Sequence, residues 1–253
     1  MSKAHHRKHR VKLRSFYLWH RYMGITAGLF VLLVAGTGIL LNHTDQLQLD
    51  QSHVRSAWVL DWYGIKAPDA MTSFAIDGHH ITQMGVHLYL EDREISGEFR
   101  KLQGAARIDD TLVVAVDDRL LLLSTDGELV DAMDAGEGIP AGIQSVGRDG
   151  QGRLVLKTAV DAYTTDTQFL RWSHWQGDAA TVTWATPAPV DPGLKQTLQA
   201  HYRSEILPLE RVLLDLHSGR FFGRFGPWVI DAAATLLAML SLSGAYMWFR
   251  RRR

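Results

Sequence analysis

The chain has 253 residues, 27 basic and 27 acidic side chains, and no cysteine. Without cysteine there is no disulfide, zinc–thiolate site, iron–sulfur cluster or cysteine nucleophile, and no nucleic-acid partner is expected of a chain whose charge balances. That balance is an average over regions of opposite character, with basic residues at both ends and acidic ones in the middle.

Residues 1–15 form a basic N-terminus carrying Lys3, Arg7, Lys8, Arg10, Lys12 and Arg14. A first transmembrane helix is predicted over residues 16–43. No charged residue occurs from Tyr22 to Leu41, and twenty residues at ~1.5 Å each cross roughly 30 Å of hydrocarbon. Phe16, Tyr17, Trp19 and Tyr22 supply an interfacial aromatic belt at its start. The stretch is too long for a signal-peptide core, and it runs into Asn42-His43-Thr44-Asp45 without an A-x-A-like cleavage site, so it reads as an uncleaved anchor.

Residues 44–224 read as a mainly-β domain. His80–Leu90, Thr111–Val116, Leu120–Ser124, Arg153–Lys157 and Thr167–Trp172 are strand-like runs, separated by turn signals such as Asp77-Gly78, Asp117-Asp118, Asp126-Gly127 and Asp149-Gly150. This spacing suits an antiparallel meander, in a sandwich or an incomplete propeller-like arrangement. A hairpin is predicted across Asp117-Asp118. The echo between 107–126 and 148–166 is too loose to count as a repeat. Pro187, Pro189 and Pro192 mark a linker, and helical periodicity follows over about residues 195–217, with Pro208 expected to kink or restart the helix.

The second transmembrane helix is predicted over residues 225–249, interrupted only by Asp231 and closed by the basic C-terminus 250–253. Basic residues flanking membrane spans stay in the cytoplasm. Both termini are therefore expected inside and residues 44–224 outside, periplasmic in a Gram-negative bacterium. The fold class is thus two transmembrane α-helices flanking a mainly-β extracytoplasmic domain.

No catalytic motif assembles: there is no G-x-S-x-G, H-E-x-x-H or Walker-type loop. Asp109-Asp110 and Asp117-Asp118 read as turn residues. His79-His80 with His87 could place two imidazoles on one strand face, but the sequence offers no third ligand, so they read as surface histidines and no metal site is expected.

The spans carry more pattern. His20, Gly24, Gly28, Val31, Ala35, Gly38 and Asn42 form a seam on the first helix, in which Gly24 and Gly28 permit close helix approach. Asp231, Ala234, Ala238, Ser241 and Ala245 form a seam on the second. These seams are expected to face each other or a second copy, making a homo-oligomer one outcome, with Asp231 turned toward protein near Asn42 and His43. His20 falls at the cytoplasmic edge, while His43 and His217 fall at the outer one. Imidazoles from membrane helices are the usual ligands of b-type haem. His20 and His43 lie ~34 Å apart along a helix and cannot share one; His43 and His217 share the outer level and are the expected outer pair, with Asp231 orienting an imidazole or binding a water.

The same residues carry a family resemblance. Trp19-His20-Arg21-Tyr22-Met23-Gly24 and Gly38-Ile39-Leu40-Leu41-Asn42-His43 resemble the first helix of PepSY-associated transmembrane proteins. Leu216-His217-Ser218-Gly219-Arg220, Phe222-Gly223 and the run Leu242–Trp248 resemble that family's closing helix. Asp126-Gly127-Glu128-Leu129 is like the short turn of PepSY modules. The resemblance implies a bacterial inner-membrane protein. Some larger members are haem-containing reductases linked to ferric-siderophore uptake, which suggests haem-binding roles for His20, His43 and His217. This chain has two spans where those have about four, and no flavin or nicotinamide site. Two functions follow: a membrane-tethered periplasmic binding or regulatory module with a periplasmic protein partner, or a b-type haem electron-transfer subunit with a redox partner.

Overall fold

The computed structural model describes the backbone of residues 2–251 and the side chains of residues 18–250. The side chains of the N-terminal basic cluster, of Phe16 and Tyr17, and of the last three arginines lie outside the described residues. In chain order the helices are α1 (Ser2–Asn42), α2 (Thr44–Leu47), α3 (Ala57–Trp62), α4 (Pro192–Ser204), α5 (Leu209–Ser218) and α6 (Gly226–Arg251), with thirteen strands between α3 and α4. The chain forms two compact units, Met1–Ile65 with Arg203–Arg253, and Lys66–Tyr202. Both helices long and apolar enough to cross a membrane, Leu18–Asn42 and the stretch ending in α6, belong to the first.

The second unit is three successive antiparallel meanders. The first sheet is β1 (Met71–Ile76), β2 (His79–Met84), β3 (His87–Leu90) and β4 (Arg93–Ile95); the second is β5 (Leu102–Ile108), β6 (Thr111–Val116), β7 (Arg119–Leu123) and β8 (Leu129–Met133). The third contains β9 (Ile143–Arg148), β10 (Leu154–Thr158), β11 (Ala162–Thr165) and β12 (Trp172–His174), with β13 (Thr183–Trp184) added beside β9.

The middle sheet is covered on both faces, which explains the unbroken apolar run of β6. Leu112, Val114 and Val116 pack with Ile81, Leu88 and Leu90 of the first sheet, whereas Val113 and Ala115 pack with Val146, Leu154 and Leu156 of the third. A strand buried on one face alone would alternate polar and apolar residues. The arrangement is propeller-like rather than a two-sheet sandwich. Its first strands approach so closely that a Cβ at Gly104 of β5 would sit 2.9 Å from Val146 Cγ1 of β9. Arg107 and Arg148, where the echo begins, occupy β5 and β9 of the second and third sheets.

Turn chemistry sets the registers. Val116 pairs with Arg119 across Asp117-Asp118, and both aspartates have positive φ, as the favoured two-residue hairpin turn requires. These acids do more than face water. Asp117 accepts from the backbone N–H groups of Arg100 and Lys101, both at 2.7 Å, and Asp118 accepts from Ile143 N at 2.8 Å. Two predicted strands differ in the structure. Residues 80–90 form a hairpin that turns at Gly85-Val86, and 167–171 form the β11–β12 connection, where Phe169 adopts φ +59° to bury its ring. On the first sheet, α4 buries Leu198 against Met84 and Tyr89.

In the first unit, α5 starts directly after Pro208, so the predicted restart is a clean break. Leu209 N and Glu210 N donate to the Ser52 and Leu49 carbonyls, and Val54 N donates to Leu207 O. Leu60, Leu207 and Val212 close a small core here, with Tyr63, Leu216 and Phe221 packed around it. Residues 44–65 and 205–225 thus belong to the same compact unit as the spans.

Candidate cofactor site in the membrane unit

α5 lies along α1 and carries His217 deep beside it. His217 Nδ1 is 3.0 Å from Thr37 Oγ1, and a Cβ at Gly38 would meet the imidazole Cε1 at 3.3 Å. Thr37 is five residues before Asn42, about 8 Å down the helix. His217 therefore stands inside the apolar stretch rather than at its rim. The chain then turns at Gly219, φ +80°, and passes through a 3₁₀ segment (Arg220–Phe225) into α6. A Cβ on Gly226 would overlap the Gly219 carbonyl oxygen, so this reversal needs glycine at both positions.

At the other end of the spans, His20 Nδ1 is 3.0 Å from Ser243 Oγ. Thr37 donates to Leu33 O at 2.8 Å, and Ser243 donates to Leu240 O at 2.9 Å. A hydroxyl whose single hydrogen stays on its own helix accepts from the imidazole. Hydrogen on Nδ1 leaves a lone pair on Nε2, the state in which a neutral imidazole ligates a metal. Between the two levels, Ala27, Val31, Val34 and Ala35 of α1 and Ile230, Ala233, Ala234 and Leu237 of α6 line an apolar groove.

His43 behaves differently. It caps α2, is exposed, and places Nδ1 2.5 Å from Gln46 Oε1, whereas the contacts of His217 are Thr37 and Gly38. Asp231 is exposed on α6, as are Ala234, Ala238, Ser241 and Ala245. The face of α6 turned to protein within the chain is instead Ala233, Leu236, Leu240, Ser243, Gly244 and Met247, about one position away from the predicted seam. Gly24 and Gly28 would each admit a Cβ with nothing within 4 Å. Of the predicted seams, Val31 and Ala35 of α1 and Ala234 of α6 line one groove, while Asp231 is exposed and Gly24 and Gly28 have open space beside them. The two hydroxyls were not identified from the sequence. The signal for them was a Thr or Ser next to a glycine, in Thr37-Gly38 and Ser243-Gly244.

Where α5 joins the 3₁₀ segment, Asp215 is buried and triply held. It accepts from Tyr63 Oη at 3.1 Å, Arg211 Nε at 3.2 Å and Arg220 Nε at 3.0 Å. Burial, and then the hydrogen bond and charge of Asp215, push the Tyr63 phenol up to about 12, against the two arginines.

In the β unit, His80 and His87 sit at opposite ends of the β2–β3 hairpin. His87 instead meets Glu94 at 2.5 Å, and the other oxygen of that carboxylate is 3.5 Å from His201 Nε2 on α4. A separate polar cleft runs past the β5–β6 and β9–β10 turns, lined by Asp77, Arg107, Asp109, Arg148 and Asp166.

Two apolar helices joined through a β-sheet insertion define a two-span membrane protein with an inserted β domain. The model of the PepSY-associated TM region matches residues 4–252, and the chain belongs to that family. No curated protein and no solved structure matches it.

Proposed function

We propose that this protein is a b-type haem-binding electron-transfer subunit of the bacterial inner membrane, with both termini cytoplasmic and the β unit periplasmic. The observation that carries the reading is the pair of hydroxyl-fixed imidazoles. His217 and His20 each hold Nδ1 against a hydroxyl and turn Nε2 away from it, at two levels of the span about 27 Å apart along α1. Such spacing serves two haems and not one. A haem bound there supplies a one-electron carrier, and Thr37 and Ser243 hold the ring orientation and basicity of its ligands. A second histidine ligand would come from another copy, or for the outer level from His43.

The test is the visible spectrum of the full-length protein expressed with ample haem. A low-spin Soret band is expected, reduced by His217→Ala and by His20→Ala and unchanged by His79→Ala or His174→Ala. Loss of the outer signal in His43→Ala assigns that residue as the partner of His217, and its retention assigns the second copy. Wild-type protein without a Soret band ends the redox reading.

The second reading is a membrane-tethered binding or regulatory module, favoured by the polar cleft of the β unit with its exposed Arg148. It predicts that Arg148→Glu weakens cross-linking of the intact protein to a periplasmic protein while leaving any Soret band untouched.

A further inference from the structure

The membrane unit gathers large aromatic side chains at one end, from segments far apart in sequence. Trp58 and Trp62 of α3 are 64% and 60% exposed, and Phe222, Phe225 and Trp228 are exposed as well. Phe221 binds the two segments together. Its ring stacks on Trp62 at 5.9 Å and meets Trp58 edge-on at 6.5 Å, and its carbonyl accepts from Trp62 Nε1 at 2.9 Å.

The height of this cluster is set by its neighbours. Phe221 lies four residues after His217, which touches Thr37 and Gly38 within the first span, and Trp228 opens the second span. α3 therefore stands level with the aromatic belt of α6, although it begins fifteen residues beyond the end of α1. Arginines share the level. Arg211 and Arg220 rest on buried Asp215 while more than half of each side chain stays exposed, and Arg224 lies over the Phe225 ring at 4.6 Å. In water this group would form an uncovered apolar patch rimmed by cations. Aromatic rings backed by arginine are the composition that settles at the headgroup level of a bilayer.

We infer that α3 and the 220–225 segment form a foot that lies in the phospholipid headgroup layer beside the second span. Trp58, Trp62, Phe222 and Phe225 enter the acyl boundary, and Arg211, Arg220 and Arg224 reach lipid phosphates. The occupant is lipid because the patch continues without a break into Trp228 and the exposed face of α6.

The chain has no cysteine, so single nitroxide labels at Trp58→Cys and Phe222→Cys can be read in the full-length protein. The probe is vesicles of phosphatidylglycerol and phosphatidylcholine. Collision with oxygen relative to a water-soluble nickel chelate should be several-fold higher at both positions than at Asp126→Cys. Ratios equal to that of Asp126→Cys overturn the proposal. So does strong label–label broadening with little oxygen access, which would put a second copy over the patch. Wild-type protein provides a check free of substitutions. A phospholipid with a photoreactive headgroup should leave adducts within residues 57–62, and adducts on 225–228 without any on 57–62 also overturn it.

Discussion

In the β unit the middle sheet is sealed on both faces by aliphatic side chains, whereas in the membrane unit the contacts between helices that fix geometry are made by glycines, hydroxyls and imidazoles. The reason is the solvent. Water drives Val113 and Val114 into opposite cores of one strand. Lipid is as apolar as leucine and gives no such drive, so helix pairs depend on close backbone approach and on polar groups satisfied between helices. Stability in the first region should follow buried volume, and in the second, individual hydrogen bonds and glycines.

The largest effect expected from this contrast is Val114→Asp. Val114 is fully buried, and an unpaired carboxylate there should cost about 4 kcal/mol or more. Protease resistance of the sheets should collapse while the spans still insert. Leu120→Ala, also at a fully buried position, should cost about 3 kcal/mol in a denaturant titration of the β unit. If either change loosens the membrane unit equally, the two regions are not independent.

In the membrane unit, Asp215→Ala leaves Arg211 and Arg220 without their shared acceptor and should cost about 2 kcal/mol, because both arginines keep access to water. Thermal unfolding of the purified protein reads this loss. Thr37→Val keeps the shape and removes the acceptor for His217, for about 1 kcal/mol. A larger effect on any Soret band than on melting would assign that hydroxyl to ligand orientation.

The smallest effects are in pH dependence, and the two units differ in sign. Tyr63 has a folded value of about 12 against 10.0. Its contribution is complete below pH 10 and is lost as pH rises toward 12. Asp149 is pushed up by burial, but hydrogen bonds from Arg153 and Gln151 outweigh that and hold it below 3.8. Its contribution is present above that pH and disappears as pH falls through the lowered value. Asp149→Asn should flatten the acid limb of β-unit stability, and Tyr63→Phe the alkaline limb of the membrane unit.

The spans and the hairpin at Asp117-Asp118 were legible in the sequence because their causes are local. A run of twenty apolar residues or two turn aspartates does not depend on distant partners. The hairpin at Gly85-Val86 and the Phe169 turn were not, since alternation over 80–90 and 167–172 reads the same whether the chain runs straight or reverses.

The candidate site divides along the same line. Periodicity picked out His20 and Gly38 as members of one α1 seam, and the family-like motifs picked out His217. The α6 face depends on how two cylinders are rotated against each other, and a shift of one residue turns a helix by about 100°. Asp231 consequently lies exposed while Ser243 meets His20. The sequence by itself determined two membrane helices, a β insertion between them and histidines near the ends of the spans. The meetings of His217 with Thr37, of His20 with Ser243 and of Trp62 with Phe221 were decided only by tertiary structure. Each depends on residues more than 150 positions apart in the chain, whose meeting no local pattern encodes.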